Sequence, residues 1–534
     1  YNKKPFKLDE HISRLFYSAS EIELKIPYTK DENKKNLISW IEKYKEIFPL
    51  RIPLFIDGKE IYKNETFKSI SPNDKNIIVA EVSSATIEDV DKAINSAYKA
   101  FKYWSNLGVE ERANILLKAA KKLRERRFEI VSLMSYEVSK NWSEADADVA
   151  EAIDFCEYYA REMLDIERHI KGGLYYLPNE HNTYYYIPLG VVAVIPPWNF
   201  PLAILTGMTV AALVTGNTVV LKPASDSAAV GYKLIEILKE VGIPDGVINY
   251  IPGPGGVIGD YLVEHPLIRM IAFTGSKEVG SRIYELASKL RSGQKFLKRV
   301  IAEMGGKDPI IVDSSAKIDD YLFSQIVVSA FGFQGQKCSA ASRLIIVEDV
   351  YEEVIEGVVE YSKKLSIGPA TENYNFNAVI NAGAEKKILS YIEIGKNEGK
   401  LIIGGEKADI GIDGFYIKPT IFKDVSPKAV IAQEEIFGPV LSIIKAKDFD
   451  NAIEIANDSE YGLTGAVFAR DRHKIEKAKR ELMIGNLYIN RKCTGAIVGV
   501  HPFGGFNMSG TDAKAGGPDY LLYFLQGKSV SELI

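Results

Sequence analysis

Apolar residues in the middle of the chain fall in short runs that alternate with longer, helix-like stretches. Five such runs cover residues 191–195, 218–221, 247–251, 269–273 and 300–302. The stretches between them have the length and composition of helices. Short strands separated by helices form βαβ units, so the sequence predicts an α/β fold with a parallel, doubly wound sheet.

Further segments surround this first alternation of strands and helices. A second alternation runs from 309–312 to 487–490 and predicts a second α/β domain. Residues 86–159 are mainly helical, with Thr86 as the expected N-cap, and residues 1–60 include an amphipathic helical stretch. Two aromatic, strand-like segments, 183–187 and 520–531, lie outside both alternations. Because unpaired strand edges attract partners, we expect them to form an intersubunit sheet.

Composition narrows the classes of partner. The chain has 534 residues, 46% of them hydrophobic and 26% charged, with a net charge of −5. Such a length predicts at least two domains. The charges are interspersed, which argues against nucleic-acid binding, and no apolar run approaches the ~20 residues of a membrane span. Three scattered cysteines argue against disulfides and CxxC metal sites. We therefore expect a cytoplasmic protein with a small-molecule substrate and no metal.

Three residues have the chemistry of a nucleophilic site. Cys338 lies in a small, polar loop, where Lys337 would favour the thiolate. Glu303 ends a strand before two glycines, where burial would raise its pKa toward that of a general base. Asn199 follows a strand of the parallel sheet, where its amide would donate to an oxyanion. Taken singly, Cys338 is better explained as an inert thiol, whereas a salt-bridged carboxylate and a turn residue explain Glu303 and Asn199 equally well.

Other segments after the strands would suit a dinucleotide. The Lys222 ammonium would hold ribose hydroxyls. The turn at 253–259 is rich in glycine, although its GxGxxxG spacing differs from GxGxxG. Ser276 stands at a helix start suited to pyrophosphate. In the second domain, Glu435 and Phe437 would contact a ribose diol and a nicotinamide ring. Individually, Lys222 also fits a solvent-exposed lysine, the turn at 253–259 an ordinary loop, and Ser276 a helix cap.

Taken together, six segments resemble the aldehyde dehydrogenase superfamily, in order within residues 80–530. They are Pro197-Trp198-Asn199, Lys222-Pro223, Phe273-Thr274-Gly275-Ser276, Glu303-Met304-Gly305-Gly306-Lys307, Gly335-Gln336-Lys337-Cys338 and Glu434-Glu435-Ile436-Phe437-Gly438-Pro439. Chance agreement of all six is negligible, so the resemblance outweighs the individual alternatives. The C-terminal run is similar to the 1-pyrroline-5-carboxylate dehydrogenase branch, through Gly495-Ala496, Pro502-Phe503-Gly504-Gly505 and Ser509-Gly510-Thr511.

The resemblance implies an aldehyde dehydrogenase-like α/β fold. Its parts are a Rossmann-type parallel-sheet cofactor domain, a second α/β catalytic domain and a β-strand oligomerisation flap. The predicted divisions are 1–60 for an N-terminal helical arm, 61–174 and 190–304 for the NAD-binding domain, 175–189 and 518–534 for the flap, and 305–517 for the catalytic domain. We expect a homo-oligomer of two or more subunits.

The resemblance also implies a role for each site residue. The catalytic residues would be Cys338, Glu303 and Asn199. The cofactor-binding residues would be Pro197, Trp198, Lys222, Ser225, Gly255, Gly259, Phe273, Gly275, Ser276, Glu435 and Phe437. The substrate-binding residues would be Phe200, Lys337, Ser339, Gly495, Ala496 and Phe503. Among them, Ser339, Gly495 and Ala496 would hold an α-carboxylate, and Phe200 and Phe503 would flank an aliphatic chain.

The implied activity is NAD-dependent oxidation of L-glutamate 5-semialdehyde, the open form of 1-pyrroline-5-carboxylate, to L-glutamate. It would proceed through a Cys338 thiohemiacetal and thioester, as the second step of proline degradation, with a proline dehydrogenase as a partner. Ser225 stands where many NAD-selective members carry Glu, which leaves NADP open as a cofactor. His501 and Asp512 depart from some relatives and bear on fine specificity. Another semialdehyde dehydrogenase, such as one for succinate semialdehyde, and a non-catalytic protein of this fold are the alternatives.

Overall fold

A computed structural model describes residues 30–169 and 174–534 of the chain. Its strands, β1 to β21 in chain order, are Leu50–Ile52, Leu54–Ile56, Lys59–Ile61, Thr66–Ile70, Ile78–Ser83, Glu180–Pro188, Val191–Ile195, Thr218–Leu221, Ile248–Tyr250, Ile268–Thr274, Arg299–Glu303, Asp308–Val312, Ala341–Val347, Lys400–Ile403, Thr420–Lys423, Val440–Ala446, Tyr461–Gly462, Thr464–Phe468, Asn486–Ile489, Phe506–Asn507 and Leu525–Leu533. Its α-helices are Lys30–Ile47, Ile87–Trp104, Val109–Glu125, Arg127–Glu137, Trp142–His169, Ala203–Val214, Ala228–Glu240, Gly255–Glu264, Lys277–Ser288, Asp320–Phe331, Tyr351–Ser362, Ala382–Glu398, Val430–Gln433, Phe449–Asn457 and Arg472–Glu481.

Five parallel strands make up one side of the first large sheet. The sheet order is β11-β10-β7-β8-β9-β2-β3, and the first five strands are parallel. Helix Ala203–Val214 crosses from β7 to β8, because a tight hairpin cannot join parallel neighbours. Val192 and Val194 of β7 are completely buried, and burying such a side chain contributes about 1.5–3 kcal/mol. The doubly wound sheet that the sequence predicts is confirmed.

The N-terminal segment is helical over only part of the predicted arm. Helix Lys30–Ile47 buries Leu37, Ile41 and Tyr44. Residues 50–61 instead form strands, of which β1 pairs with β5 and β2 pairs with β9 at the edge of the large sheet. This apolar stretch is strand rather than helix because open sheet edges are available to pair with it. The part of the arm before residue 30 lies outside the described residues.

Helices occupy most of residues 87–169, as the sequence predicts. Thr86 caps the first of them: its hydroxyl accepts from the Asp89 amide, and the Asp89 carboxylate accepts from the Thr86 amide at 3.0 Å. This reciprocal capping box satisfies two amides that the helix leaves free. The last helix, Trp142–His169, packs along Ala203–Val214. Within residues 30–169 and 174–534, no helix combines the length and apolarity that crossing a membrane requires.

The second alternation forms another seven-stranded sheet, in the order β14-β15-β16-β13-β12-β18-β19. All neighbouring strands are parallel except β14 and β15. Ile310 and Val312 of β12 face one apolar core, whereas Ile311 faces another. Cores on both faces are typical of a parallel sheet covered by helices on each side.

The two aromatic segments pair with each other. β6 and β21 form an antiparallel ribbon, in register from Glu180 opposite Leu533 to Pro188 opposite Leu525. The prediction of a strand from residue 520 is corrected, because Tyr520–Phe524 is a 3₁₀ helix. The Tyr520 ring is buried and stacks on Tyr159 at 5.6 Å. The apolar core therefore holds this turn, and the strand begins only after it.

Candidate active site

Residues from both large sheets meet at one edge of the first. Asn199 follows β7, Lys222 follows β8, Ser276 follows β10, and Glu303 is the last residue of β11. Because these strands are parallel, their carboxyl ends share an edge, which is where α/β proteins bind ligands. Cys338 comes from the loop before β13 of the second sheet. Cys338 and Glu303 line the same cavity, of about 110 Å³.

The loop that carries Cys338 has an unusual backbone. Phe333 and Gln334 have φ angles of 50° and 55°, left-handed values that cost about 1–3 kcal/mol per residue. Phe333 is buried, and the side-chain amide of Gln334 donates to the carbonyl of Ala378 at 2.8 Å. These two features hold the conformation. Gly335 is also left-handed, and a side chain there would overlap the carbonyl of Gly438. The surroundings thus fix the loop in a form that brings Cys338, partly exposed, to the cavity.

The structure pairs Lys337 with an acidic residue. Its ammonium lies 2.7 Å from the Glu144 carboxylate, and Lys337 does not line the cavity. The pKa of the Cys338 thiol is raised, mainly by burial and then by nearby carboxylates, Asp308 first. The positive charge of Lys337 is thus paired with Glu144, and its roles beside the thiol and toward the substrate stay predictions.

Asn199 lies directly against the Cys338 loop. Its side-chain amide donates to the carbonyl of Gln336 at 3.0 Å, and the residue is 4% exposed. A primary amide has two N–H donors, so the second remains for an oxygen atom beside the thiol. Pro197, just before Trp198, restricts the backbone of this loop.

Backbone, rather than side chains, surrounds the Glu303 carboxyl group. The Gly505 amide donates to Oε2 at 3.1 Å, whereas Oε1 has no hydrogen-bond partner among the described residues. A Cβ atom at Gly510 would lie 2.7 Å from Oε1, and one at Gly504 would lie 3.4 Å from it. Burial raises the pKa of Glu303 well above its ordinary value. Such a carboxyl group, with one free oxygen facing a cavity, suits proton transfer.

Two charges beyond the glycines act on Glu303 in opposite directions. Lys514 lowers the pKa of this carboxyl, and Asp512 raises it, although burial has the larger effect. The Lys514 ammonium donates to the Gly485 carbonyl at 3.0 Å and also to the Gly504 carbonyl. Lys514 thus acts on the base electrostatically and fixes the glycine loop around it.

Lys222 has the surroundings of a ligand-binding lysine. It is 7% exposed, and its ammonium donates only to the carbonyl of Pro223, at 3.0 Å. Burial lowers the pKa of Lys222 to about 8. Gly255 opens helix Gly255–Glu264 beside it, and a Cβ atom at Gly259 would meet nothing within 4 Å. An ammonium with no anionic partner in the described residues, next to an open helix N-terminus, fits ribose and phosphate.

The remaining predicted cofactor residues surround this edge of the sheet. Ser225 opens a 3₁₀ turn after β8. A side chain at Gly275 would approach the Phe273 ring to 2.5 Å, which explains the glycine by packing. The Ser276 hydroxyl caps helix Lys277–Ser288 by accepting from the Val279 amide. These contacts leave the helix N-terminus accessible but commit the Ser276 side chain to capping.

Glu435 and Phe437 reach the site from the second domain. The Glu435 carboxylate accepts from the Gly306 amide at 3.1 Å, and a side chain at Gly305 would overlap it. Phe437 has a φ of 59°, and its ring lies edge-on to Trp198 at 5.7 Å. A carboxylate and an aromatic ring on one loop can contact a sugar diol and a flat ring, which fits the nicotinamide half of a dinucleotide.

The cavity collects all but one of the residues predicted to bind substrate. It is lined by Glu151, Phe155, Tyr159, Phe200, Ile204, Gly207, Met208, Thr274, Glu303, Met304, Cys338, Ser339, Gly495, Ala496, Phe503, Ala515 and Tyr520. Lys337 is the predicted residue that is absent. The volume of about 110 Å³ is well below the roughly 300–1,000 Å³ of sites for drug-sized ligands. The space therefore suits a short substrate.

One wall of this cavity was not identified from the sequence. Glu151, Phe155 and Tyr159 come from helix Trp142–His169, a segment for which the sequence predicts only helical structure. Their spacing of four residues places them on one helix face, and an acid aligned with two aromatic residues was the available signal. Burial, followed by repulsion from Asp148, raises the pKa of Glu151 to about 8.

A thiol and a carboxyl group in one cavity, beside a dinucleotide-type sheet edge, define a cofactor-dependent oxidoreductase. The chain belongs to the aldehyde dehydrogenase family, whose model matches residues 60–530. It is 55% identical to 1-pyrroline-5-carboxylate dehydrogenase of Geobacillus sp. (strain WCH70), over 95% of this chain and 98% of that protein. The structure of 1-pyrroline-5-carboxylate dehydrogenase from Thermus with bound NAD matches with a TM-score of 0.93 and 50% identity, over 96% and 98% of the two chains. Proline utilization A from Bdellovibrio bacteriovorus matches with a TM-score of 0.91 and 43% identity, over 94% of this chain and 52% of that one.

Proposed function

We propose that the protein oxidises L-glutamate 5-semialdehyde, the open form of 1-pyrroline-5-carboxylate, to L-glutamate with reduction of NAD. The observation that carries the proposal is a short cavity that joins Cys338 and Glu303 to Ser339, Gly495 and Ala496. Relatives that are named 1-pyrroline-5-carboxylate dehydrogenase, and that match this chain over nearly its whole length, support the same substrate. The activity would be the second step of proline degradation.

Part of the cavity lining suits an α-carboxylate. Gly495 has a φ of 76°, and within the described residues no acceptor takes the amide hydrogens of Gly495 or Ala496. Free amides at a glycine turn, together with the Ser339 hydroxyl, can bind a carboxylate. Phe200 and Phe503 supply apolar surface for the short chain between the carboxylate and the aldehyde. This arrangement favours a semialdehyde that ends in a carboxylate.

The chemistry begins at Cys338. Its thiolate attacks the aldehyde carbon and forms a thiohemiacetal, while the free N–H of Asn199 and the Cys338 amide stabilise the developing oxyanion. Lys222, Glu435, Phe437 and the N-terminus of Gly255–Glu264 would hold the cofactor. NAD, when bound, accepts the hydride that converts the thiohemiacetal to a thioester. Glu303 then takes a proton from a water molecule, which hydrolyses the thioester and releases the acid.

A semialdehyde panel tests this proposal. We expect 1-pyrroline-5-carboxylate to give a kcat/KM about 10- to 100-fold above that of succinate semialdehyde, since a polar group of the site left unpaired costs about 1–3 kcal/mol. NADH formation measures both rates, with NADP in parallel because Ser225 supplies no acid against a 2′-phosphate. Equal or better turnover of succinate semialdehyde would contradict the substrate. Oxidation of neither aldehyde would favour a non-catalytic protein of this fold.

Glu151 gives the cavity a means of recognising the α-ammonium group. Its carboxyl group lines the same space as the anchor residues, and a substrate ammonium beside it would favour its ionised form. We expect Glu151→Gln to lower kcat/KM for 1-pyrroline-5-carboxylate about 10-fold, the size of a lost charged hydrogen bond. Succinate semialdehyde lacks the ammonium group, so its kcat/KM should stay within twofold. An equal loss for both substrates would assign Glu151 to packing.

We also infer that the protein forms a homo-oligomer in the cytoplasm. Tyr184, Tyr185 and Val530 on the β6–β21 ribbon are more than one-third exposed, and an exposed ribbon edge with such residues favours pairing between copies. Sedimentation equilibrium of the full chain measures the subunit number. A proline dehydrogenase remains the expected partner for delivery of the substrate.

A further inference from the structure

A buried ion pair lies behind the two loops that meet at the thiol. The Lys140 ammonium and the Asp148 carboxylate are in contact, and both side chains are 0% exposed. Removing two charges from water costs several kcal/mol for each, so such a pair is weak evidence for added stability. The contacts of these two residues point instead to the reaction site.

Asp148 holds the end of the Asn199 loop. Its second oxygen accepts from the Ala203 amide at 2.7 Å, at the first residue of helix Ala203–Val214. The residue at the N-cap position, Leu202, has no side chain that can do this. Asp148 therefore caps, from a neighbouring helix, the helix that follows Asn199 and Phe200.

Lys140 contacts both loops at once. Its ammonium lies 4.0 Å from the ring centre of Phe200 and 5.0 Å from that of Phe333. Phe200 follows Asn199 directly, and Phe333 is one of the left-handed residues of the Cys338 loop. A cation between two rings attracts each of them, by about 2 kcal/mol or more when water is excluded. The ammonium thus bridges the loop of the oxyanion donor and the loop of the nucleophile.

We propose that Lys140 and Asp148 are positioning residues, which set the placement of the Asn199 amide relative to Cys338. The proposal rests on the proposed function, because it concerns the same oxyanion. Neither residue lines the cavity, so they act through the loops and not on the substrate. Oxyanion donors are sensitive to placement, and a shift of about 1 Å can cost about 100-fold in rate.

The test uses the double variant Lys140→Met/Asp148→Asn in the full-length protein. It removes both buried charges together and keeps an oxygen for the Ala203 amide, which limits the loss of stability that a single unpaired charge would cause. We expect kcat per titrated thiol to fall about 10- to 100-fold. Acylation of Cys338 by p-nitrophenyl acetate, which needs the oxyanion donor, should fall by a similar factor.

A second readout separates positioning from general damage. Alkylation of Cys338 by iodoacetamide develops no oxyanion, so its rate should stay within twofold of the unmodified protein. The matched control is Asp146→Asn, at a partly exposed position on the helix that also carries Asp148. This change breaks the ion pair between Asp146 and Arg127, and the rates of turnover, acylation and alkylation should all be unchanged. Acylation within twofold of normal in the double variant would overturn the proposal, as would an equal fall in acylation and alkylation.

A further variant covers the case in which the double variant does not fold. Phe333→Leu keeps the ion pair but removes one of the two rings, and it should slow acylation about 10-fold while alkylation stays normal. An unchanged acylation rate in Phe333→Leu would contradict the proposal that Lys140 bridges the two loops. If the unmodified protein does not oxidise 1-pyrroline-5-carboxylate, the proposed function fails, whereas the ester and alkylation rates still decide the positioning role.

Discussion

Cys338→Ala should abolish aldehyde oxidation, with a loss of at least about 10⁴-fold, because the covalent intermediate can no longer form. Apart from the Cys338 thiol, the cavity lining offers only the hydroxyls of Ser339, Thr274 and two tyrosines and the carboxyl groups of Glu151 and Glu303. An alcohol is a far weaker nucleophile than a thiolate at neutral pH. NADH formation from 1-pyrroline-5-carboxylate measures the loss, and tryptophan quenching on NAD addition shows whether the cofactor still binds.

Cys156→Ala is the matched control for this prediction. Cys156 is fully buried, lies within helix Trp142–His169 and does not line the cavity. Its replacement should cost some stability through lost packing and leave kcat within about twofold. Residual oxidation above 1% in Cys338→Ala would mean that another group carries the chemistry.

The second large effect concerns Glu303, whose replacement should stop hydrolysis without stopping acylation. Glu303→Gln keeps the shape of the side chain but removes the base, and general-base catalysis contributes about 10²–10⁴-fold. We therefore expect a rapid burst of one NADH per active site, followed by steady turnover at least about 100-fold below normal. Stopped-flow absorbance measures the burst, and mass spectrometry of the quenched protein detects the thioester.

Exposed Glu353 provides the control, since Glu353→Gln makes the same chemical change on helix Tyr351–Ser362 far from the cavity lining. It should show normal turnover and no burst. If Glu303→Gln also loses the burst, Glu303 acts before the thioester forms, and the assigned role is wrong.

The pH dependence of turnover follows from the same carboxyl group. Burial raises the pKa of Glu303 and of Cys338, and both groups must lose a proton to act. The rate should therefore increase as pH rises through these pKa values, and fall on the acidic side. Single-turnover hydrolysis of the thioester isolates the part of the pH dependence that is due to Glu303. This pH dependence should be absent in Glu303→Gln. A pH-independent hydrolysis rate in the unmodified protein would argue against this base.

Local patterns were sufficient to predict the sheets and to single out the candidate catalytic groups. Runs such as Val191–Ile195 are short and apolar, so their strand conformation depends on neighbours in sequence. Cys338, Glu303 and Asn199 each sit in a local motif, directly after or before a predicted element, and the structure brings Cys338 and Glu303 into one cavity. Their roles remain predictions that the two variants above address.

Contacts between distant segments could not be predicted in the same way. Glu151 and Lys140 belong to a helical region with no motif, and their position depends on how helix Trp142–His169 is rotated against Ala203–Val214. That rotation is decided by tertiary packing, which one sequence does not display. The same holds for Lys337, whose partner Glu144 is 193 positions away in the chain, and for Tyr520, which is turned into the core by Tyr159.

The glycines around Glu303 restrict how this family member can change over time. A side chain at Gly510 would collide with the carboxyl group, and one at Gly504 would crowd it, so mutation cannot adjust the base by altering its immediate neighbours. Lys514 and Asp512 act through space and are not subject to that steric limit. Adaptation of the enzyme to more acidic or more alkaline surroundings would therefore proceed by substitutions at positions 512 and 514, while the glycines at positions 504 and 510 are kept.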